Sequence, residues 1–253
     1  MKPKVLFALP CYNEAQNIPA LLDQFKKLNL VYHSMFEVKV VVIDDCSRDQ
    51  TQEVLKKYPR EGLDLDIVVH EKNKGLTGGI NTAFSYFENV LLTQENPPIA
   101  FGLMDGDNSH SPLHIPSMVE KILQSYDLVV ASRFQPGATI KGVSWIRQIL
   151  SLGLAFIFKA FRNIPGVRDY SCGYRLYSPE LVKKLKKHFR NDVVLDPSFA
   201  SMVELLVKCH LLGAICTEVP FLLRYDLKLG ESKMPFKKTI INNLKLLATL
   251  RRV

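Results

Sequence analysis

The chain has 253 residues, 47% of them hydrophobic and 23% charged, with a formal net charge of +8 at pH 7 and a mean hydropathy of +0.03. That length can bury the core of one large α/β domain or two small ones, and the composition excludes disorder, coiled coil and collagen. The charge is unevenly placed: residues 1–130 hold 12 Lys/Arg against 17 Asp/Glu, a net of −5, and residues 131–253 hold 21 against 8, a net of +13. The basic half asks for an anionic partner, whether nucleic acid, phospholipid surface or phosphorylated small molecule. Five cysteines, an odd number without C-x-x-C spacing, read as reduced cytosolic thiols.

The first apolar run, residues 5–9, is too short for a signal-peptide core and predicts a buried strand. Leu21, Leu22, Phe25 and Leu28 then fall at helical spacing over residues 18–30, and residues 38–43 predict the second strand. A helix over 51–58, a strand over 66–69, a helix over 78–92, a strand over 99–104, a helix over 115–125 and a strand over 128–131 follow. This alternation predicts a doubly wound, Rossmann-like α/β fold with a mostly parallel sheet. Ligands in such folds sit beyond the carboxyl ends of the strands. No G-x-G-x-x-G follows the first strand and no P-loop is present, which argues against a dinucleotide cofactor.

After residue 140 the pattern changes. Residues 143–161 are strongly apolar, with Arg147 and Lys159 their only charges. The uncharged stretch 148–158 falls well short of the roughly 20 residues that span a bilayer, so the segment is expected to lie in an interface. Trp145 reads either as an interfacial anchor or as a core indole. Residues 236–253 carry five basic residues and no acidic one. On a helix, Ile240, Ile241, Leu244, Leu247 and Ala248 face away from Lys238, Lys245 and Arg252. That pattern suits a membrane-surface helix or a terminal helix docked on the domain. The expected organisation is one catalytic domain over residues 1–233, with an interfacial helix at 143–161 inside it, and a basic amphipathic helix over 234–253.

The chemistry lies at strand ends. Asp105-Gly106-Asp107 places two carboxylates one residue apart after the fourth strand, where they can share a hard divalent ion with phosphate oxygens and water. Asp44-Asp45 follows the second strand and can accept hydrogen bonds from a base or ribose, while Ser47 or Asp49 is a candidate N-cap for the next helix. His110, just past the acidic motif, reads as a phosphate-orienting group or a solvated loop residue.

These motifs together resemble a known family. P-C-Y-N-E-A-Q-N-I at 10–18, V-V-I-D-D-C-S-R-D-Q-T at 41–51, N-K-G-L-T-G-G at 73–79, D-G-D-N-S-H-S-P at 105–112, A-S-R-F at 131–134, D-Y-S-C-G-Y-R-L-Y at 169–177 and G-E-S-K-M at 230–234 look like family 2 inverting glycosyltransferases of the GT-A fold. The match is specifically to the dolichol- or polyprenyl-phosphate mannosyltransferase branch, and it covers nearly the whole chain. The resemblance implies metal-dependent transfer of a sugar, mannose from GDP-mannose by default, to a polyprenyl or dolichyl phosphate. The reaction would take place at the cytosolic face of an anionic membrane, and the resemblance leaves room for a separate membrane-protein subunit.

Carried over residue by residue, it gives Pro10, Tyr12, Glu14, Gly106 and either Asp44 or Asp45 to the nucleotide of the donor. Asp105 and Asp107 become ligands of Mg²⁺ or Mn²⁺. Ser109 stands where the family usually has an amide and would reach the metal through water. Gly106 stands where Ala is usual, which loosens the turn. Arg133 belongs near the reacting phosphates, and Arg133, Arg147 and Ser151 dock the lipid phosphate. Arg224 and Lys233 flank the loop that closes over the donor, with Lys228 the alternative to Arg224.

Two other functions compete. A hydroxyl acceptor, or a different donor such as UDP-glucose, keeps the fold. A hydroxyl acceptor would also require a carboxylate base, for which Asp169, Asp196 and Glu204 are the candidates. A nucleic-acid or membrane-binding module without catalysis would suit the basic half. However, aromatic residues are not interleaved with its Lys/Arg positions and the acidic strand ends would go unexplained, so no nucleic-acid partner is expected.

Overall fold

The computed structural model describes residues 2–198 and 200–230. Strand β1 (Lys4–Cys11) runs through the middle of the core, and Val5, Leu6, Phe7, Ala8 and Leu9 are all fully buried. A strand apolar on both faces must be covered on both. Helix α1 (Ile18–Tyr32) covers it with Ile18, Leu21, Leu22, Phe25 and Leu28, and α3 (Gly75–Thr93) with Ile80, Ala83, Phe84, Phe87 and Val90.

Strand β2 (Glu37–Asp44) pairs with β1 in parallel, from Lys4 opposite Glu37 to Cys11 opposite Asp44, so the two strands end level. Helix α2 (Thr51–Lys57), strand β3 (Asp64–Val69), strand β4 (Ala100–Leu103), helix α4 (Ile115–Leu123) and strand β5 (Leu128–Ser132) continue the alternation. The seven-stranded sheet is completed by β7 (Arg175–Tyr177) and β8 (Cys216–Pro220), in the order β3-β2-β1-β4-β7-β5-β8. A two-stranded sheet pairs β6 (Thr139–Lys141) with β9 (Leu222–Arg224). Helices α5 (Trp145–Phe161), α6 (Pro179–Phe189) and α7 (Ser201–Leu211) make up the rest.

The doubly wound, mostly parallel sheet matches expectation, with one addition. Strand β7 is antiparallel to both neighbours, β4 and β5. At three residues it is too short to give a periodic signal.

The helix expected to start at residue 78 starts at Gly75. Its first amides have a distant partner: the Asp45 carboxylate accepts from Lys74 N and Gly75 N, each at 2.7 Å. A carboxylate at a helix N-terminus satisfies orphan donors and complements the dipole.

Helix α5 has two unlike faces. Phe158 is buried and its ring stacks on Tyr170 at 6.0 Å. Trp145, Ile149, Leu152 and Phe156, spaced four, three and four residues apart, are 69%, 57%, 50% and 75% exposed. The indole is therefore not in the core. No helix among the described residues is long and apolar enough to cross a membrane. The domain end at residue 233 and the helix expected over 234–253 lie outside the described residues.

Candidate active site

In the sheet order, β2 and β3 lie to one side of β1 and β4 to the other. That reversal opens a crevice beyond the carboxyl ends of β1 and β4, between Pro10–Glu14 and the acidic turn. Among the described residues, three of the five non-glycine residues with positive φ sit in the loops at this edge: Asn13 at 54°, Cys46 at 59° and Asn108 at 61°. Left-handed backbone is tolerated at such positions when its surroundings hold it there, and here the loops hold each other. Asn13 N donates to Ser47 Oγ at 2.8 Å, Arg48 N to Asn13 Oδ1 at 2.8 Å, Glu14 N to Thr51 Oγ1 at 2.8 Å and Ala15 N to Asp49 Oδ2 at 3.2 Å.

The two carboxylates at the carboxyl end of β2 do different work. Asp44 is turned into its own loop, where it accepts from the Ser47 hydroxyl and from Gln52 Nε2 at 2.8 Å. Asp45 holds the start of α3 and is paired at 2.7 Å with His70 Nδ1, whose Nε2 lies 2.8 Å from Thr82 Oγ1. Glu14 is buried and accepts from Asn17 Nδ2 at 2.7 Å. Tyr12 and Pro10 are half-buried.

Close approach is built in by glycine. A Cβ on Gly79 would stand 2.9 Å from Pro10 Cβ, and one on Gly106 would stand 2.9 Å from Cys11 Cβ and 3.3 Å from the Pro10 carbonyl oxygen. Gly106 thus draws the acidic turn tightly against β1, where the sequence had suggested a looser turn.

Within that turn, Asp107 Oδ1 accepts from Ser109 N at 3.1 Å and Ser109 Oγ at 2.5 Å, and Oδ2 accepts from Lys228 Nζ at 2.6 Å. Burial pushes the Asp107 carboxyl up, but Lys228, His110 and the Ser109 hydroxyl together hold it below its ordinary value. For Asp105 burial prevails: with the Asp107 charge beside it, its carboxyl is raised despite His110 and Lys228. His110 is buried, not solvated; it stacks on Tyr174 and meets Phe221 edge-on, both at 5.5 Å, and its buried Nδ1 has no hydrogen-bond partner.

A half-buried carboxylate whose charge is costly, next to a buried one already paired with a cation, is a place that favours more positive charge. The donors are all oxygen, which suits Mg²⁺ or Mn²⁺. Among the described residues no group of three or more His, Cys, Asp or Glu could hold a metal alone. The pair with Ser109 would therefore leave coordination positions for phosphate and water.

Arg133 is held by Asp169, which is fully buried. Nε donates to Oδ2 at 2.7 Å, Nη2 to Oδ1 at 2.6 Å and to Ser171 Oγ at 2.7 Å, and Arg133 N to Oδ2 at 3.0 Å. The charge of Asp105 also acts on this guanidinium. Arg147 and Ser151 lie one turn apart on α5, and Ser151 is half-buried. Arg224 forms a two-pronged pair with Asp226 at 2.8–3.1 Å, and of the two basic residues it is Lys228 that enters the acidic cluster. Lys233 lies outside the described residues.

The carboxylates considered as bases are mostly committed. Asp169 gives both oxygens to Arg133, and its Oδ1 also accepts from Cys172 N. Glu204 takes Leu195 N, Asp196 N and Lys208 Nζ. Asp196 turns Oδ1 onto Ser198.

Residues 7–186 match the family described as Glycosyl transferase family 2. The chain belongs to that family. Its relatives include polyprenol monophosphomannose synthase from Mycolicibacterium smegmatis, 26% identical over 91% of this chain and 81% of that protein. Dolichol-phosphate mannosyltransferase from Pyrococcus furiosus is 28% identical over 96% of this chain and 62% of that protein. Undecaprenyl-phosphate mannosyltransferase from Micrococcus luteus is 27% identical over 91% and 87%. Among solved structures, glucosyl-3-phosphoglycerate synthase from Mycobacterium tuberculosis, in complex with Mn²⁺, UDP and glucosyl-3-phosphoglycerate, superposes with a TM-score of 0.64. The identity is 18%, with 98% of this chain and 78% of that one covered. A complex of the same enzyme with Mg²⁺ and UDP gives 0.63 at 17% identity, with 98% and 78% covered. The fold is GT-A and the protein is a glycosyltransferase.

Sequence reasoning missed the pairing of His70 with Asp45, the hydrogen bonding of Asn17 to Glu14 and to both backbone groups of Leu229, and the commitment of Asp169 to Arg133. Asn17 lies inside the quoted P-C-Y-N-E-A-Q-N-I motif and Asp169 opens D-Y-S-C-G-Y-R-L-Y. The motifs therefore marked these residues without revealing their partners.

Proposed function

We propose that this glycosyltransferase moves mannose from GDP-mannose to a polyprenyl phosphate, with inversion, at a membrane surface. The observation that carries the reading is the exposed apolar stripe of α5, Trp145, Ile149, Leu152 and Phe156. It sits on the helix that carries Arg147 and Ser151, and a lipid acceptor explains why a folded domain leaves it uncovered. The mannosyltransferase names of the relatives support the same acceptor class.

A phosphate nucleophile is already anionic near neutral pH, so the protein must place it rather than deprotonate it. That agrees with a site in which Asp169 and Glu204 are tied up in ion pairs. Asp169 fixes Arg133 through Nε and Nη2, and the structure gives Nη1 no hydrogen bond among the described residues. An arginine fork locked in this way can present its remaining edge to phosphate. Pro10, Tyr12, Glu14 and Asp45 would line the nucleotide crevice. Asp105 and Asp107 would hold Mg²⁺ or Mn²⁺, which supplies charge stabilisation for the departing nucleoside diphosphate. Attack from the face opposite the leaving group gives a β-linked product from an α-linked donor.

The test is incubation of the full chain with a panel of nucleotide sugars, Mn²⁺ or Mg²⁺, and either a short polyprenyl phosphate or free-hydroxyl glycans. Mannosyl transfer from GDP-mannose to the lipid phosphate is expected. Transfer confined to hydroxyl acceptors would overturn the acceptor assignment, and preference for another nucleotide sugar would overturn the donor.

The α5 stripe gives a second expected result. Burying an aromatic side chain is worth about 1.5–3 kcal/mol, so Trp145→Ser with Phe156→Ser should weaken sedimentation with anionic vesicles by at least about tenfold. Binding by the unaltered protein should weaken as salt is raised. Unchanged sedimentation of the double variant would show that this face is not the membrane contact.

A further inference from the structure

Residues 225–230 form a strap across the crevice, anchored at both ends. On the acidic side, Arg224 N donates to Ser109 O at 2.9 Å and Leu223 forms an antiparallel bridge with His110. From the short 3₁₀ turn Tyr225–Leu227 the chain sends Lys228 back into the acidic turn, with Nζ 2.6 Å from Asp107 Oδ2 and both side chains about nine-tenths buried. On the other side, Leu229 binds the Asn17 carboxamide through both its backbone groups: N to Oδ1 at 2.8 Å, and O from Nδ2 at 3.0 Å. The same Nδ2 donates to Glu14. The strap therefore links the acidic turn to the Pro10–Glu14 loop, the two walls of the proposed donor site.

We infer that Lys228 is a built-in counter-ion of the acidic pair that a divalent cation must displace, so that metal binding and release of the strap are one linked event. The inference rests on the reading of Asp105 and Asp107 as a metal site and deepens it. Asp107 Oδ1 is already taken by Ser109, so Oδ2 is the oxygen open to a metal, and Oδ2 is the one that Lys228 occupies. A hard divalent ion sits about 2.1 Å from a carboxylate oxygen, and an ammonium at hydrogen-bond distance from the same buried oxygen would face it as a like charge at short range. Once Lys228 leaves, the span between the Arg224–Ser109 anchor and the Leu229 contacts with Asn17 loses its tie to the acidic turn. By linkage, whatever Lys228 contributes to holding the strap closed is subtracted from metal affinity, and removing Lys228 returns it.

The test uses the full chain without donor or lipid. Mn²⁺ affinity is measured by calorimetry for the unaltered protein, Lys228→Met and Lys228→Arg, and hydrogen exchange is followed at the Leu229 amide. Loss of one buried charge-assisted hydrogen bond should tighten Mn²⁺ binding to Lys228→Met by about tenfold or more, while Lys228→Arg stays near the unaltered value. Saturating Mn²⁺ should speed Leu229 exchange in the unaltered protein by about tenfold or more, and in Lys228→Met the amide should already exchange fast. Equal Mn²⁺ affinity in the unaltered protein and Lys228→Met, or a Leu229 amide indifferent to Mn²⁺, would overturn the linkage. Failure of Mn²⁺ to bind any of the three would overturn it together with the metal reading. These readouts are independent of transfer: a negative acceptor panel with Mn²⁺-driven strap release sinks the proposed reaction alone, and the converse result sinks the strap alone.

Discussion

Asp105→Asn is expected to abolish transfer and yet raise the melting temperature of the protein in the presence of a chelator. The two effects have one cause. Burial, with the Asp107 charge beside it, raises the Asp105 carboxyl above its ordinary value, so the folded state binds that proton more tightly than the unfolded chain does. Stability from such a group is fully present below the unfolded value, roughly pH 4, and is lost as pH rises through the higher folded value. Above the unfolded value the Asp105 carboxyl is therefore a cost that asparagine removes, and the advantage of the variant should shrink as the pH is lowered toward 4. The same substitution removes a carboxylate proposed to hold the metal, and the loss of transition-state charge stabilisation should lower kcat by about 10³-fold or more.

Asp107→Asn makes the opposing control. Its carboxyl is held low by Lys228, His110 and Ser109 despite burial, so it contributes stability above the unfolded value that is lost as pH falls through the folded one. Asp107→Asn should therefore melt lower than the unaltered protein at neutral pH, with an equal loss of transfer. Added Mn²⁺ should raise the melting temperature of the unaltered protein and leave both variants where they are. Thermal melts across pH with and without chelator decide the matter. A lower melting point for Asp105→Asn at neutral pH would show that this carboxylate is not strained by burial.

This pair of neighbours also shows how far the sequence could be read. That Asp105 and Asp107 would stand at a strand end followed from a short apolar run and from strand–helix alternation, which are local properties. That one would be raised and the other lowered depends on Lys228, 121 residues further on, and on how deeply the turn is pressed against β1 through Gly106. The same division recurs elsewhere. Helix α1 was legible from four apolar positions, whereas the Asn17 contact with Leu229 spans 212 residues. The pairing of Asp45 with His70 joins the ends of two strands. Strand β7 is a three-residue insertion whose identity comes only from its neighbours. Trp145 has the same side chain whether it anchors or packs, and only the surface around α5 decides between them.

Asp169→Asn is expected to cost both stability and acceptor affinity, and the two losses can be separated. Burial would raise the Asp169 carboxyl, but the Arg133 guanidinium and its hydrogen bonds outweigh burial and hold it below its ordinary value. Removing one partner of a buried ion pair leaves the other charge uncompensated, at about 3–5 kcal/mol. For a chain of this size that corresponds to a fall in melting temperature of roughly 10 °C. The Asp169 contribution is present above roughly pH 4 and disappears as pH falls through the lower folded value. The stability curves of variant and unaltered protein should therefore converge in acid. Arg133→Lys keeps the charge next to Asp169 but loses the planar fork, so it should retain most of the stability. Its KM for polyprenyl phosphate should nevertheless rise by about tenfold, with little change in KM for the nucleotide sugar. A purely structural Arg133 would leave both Michaelis constants of the lysine variant unchanged, and equal increases in both would place Arg133 on the donor instead of the acceptor phosphate.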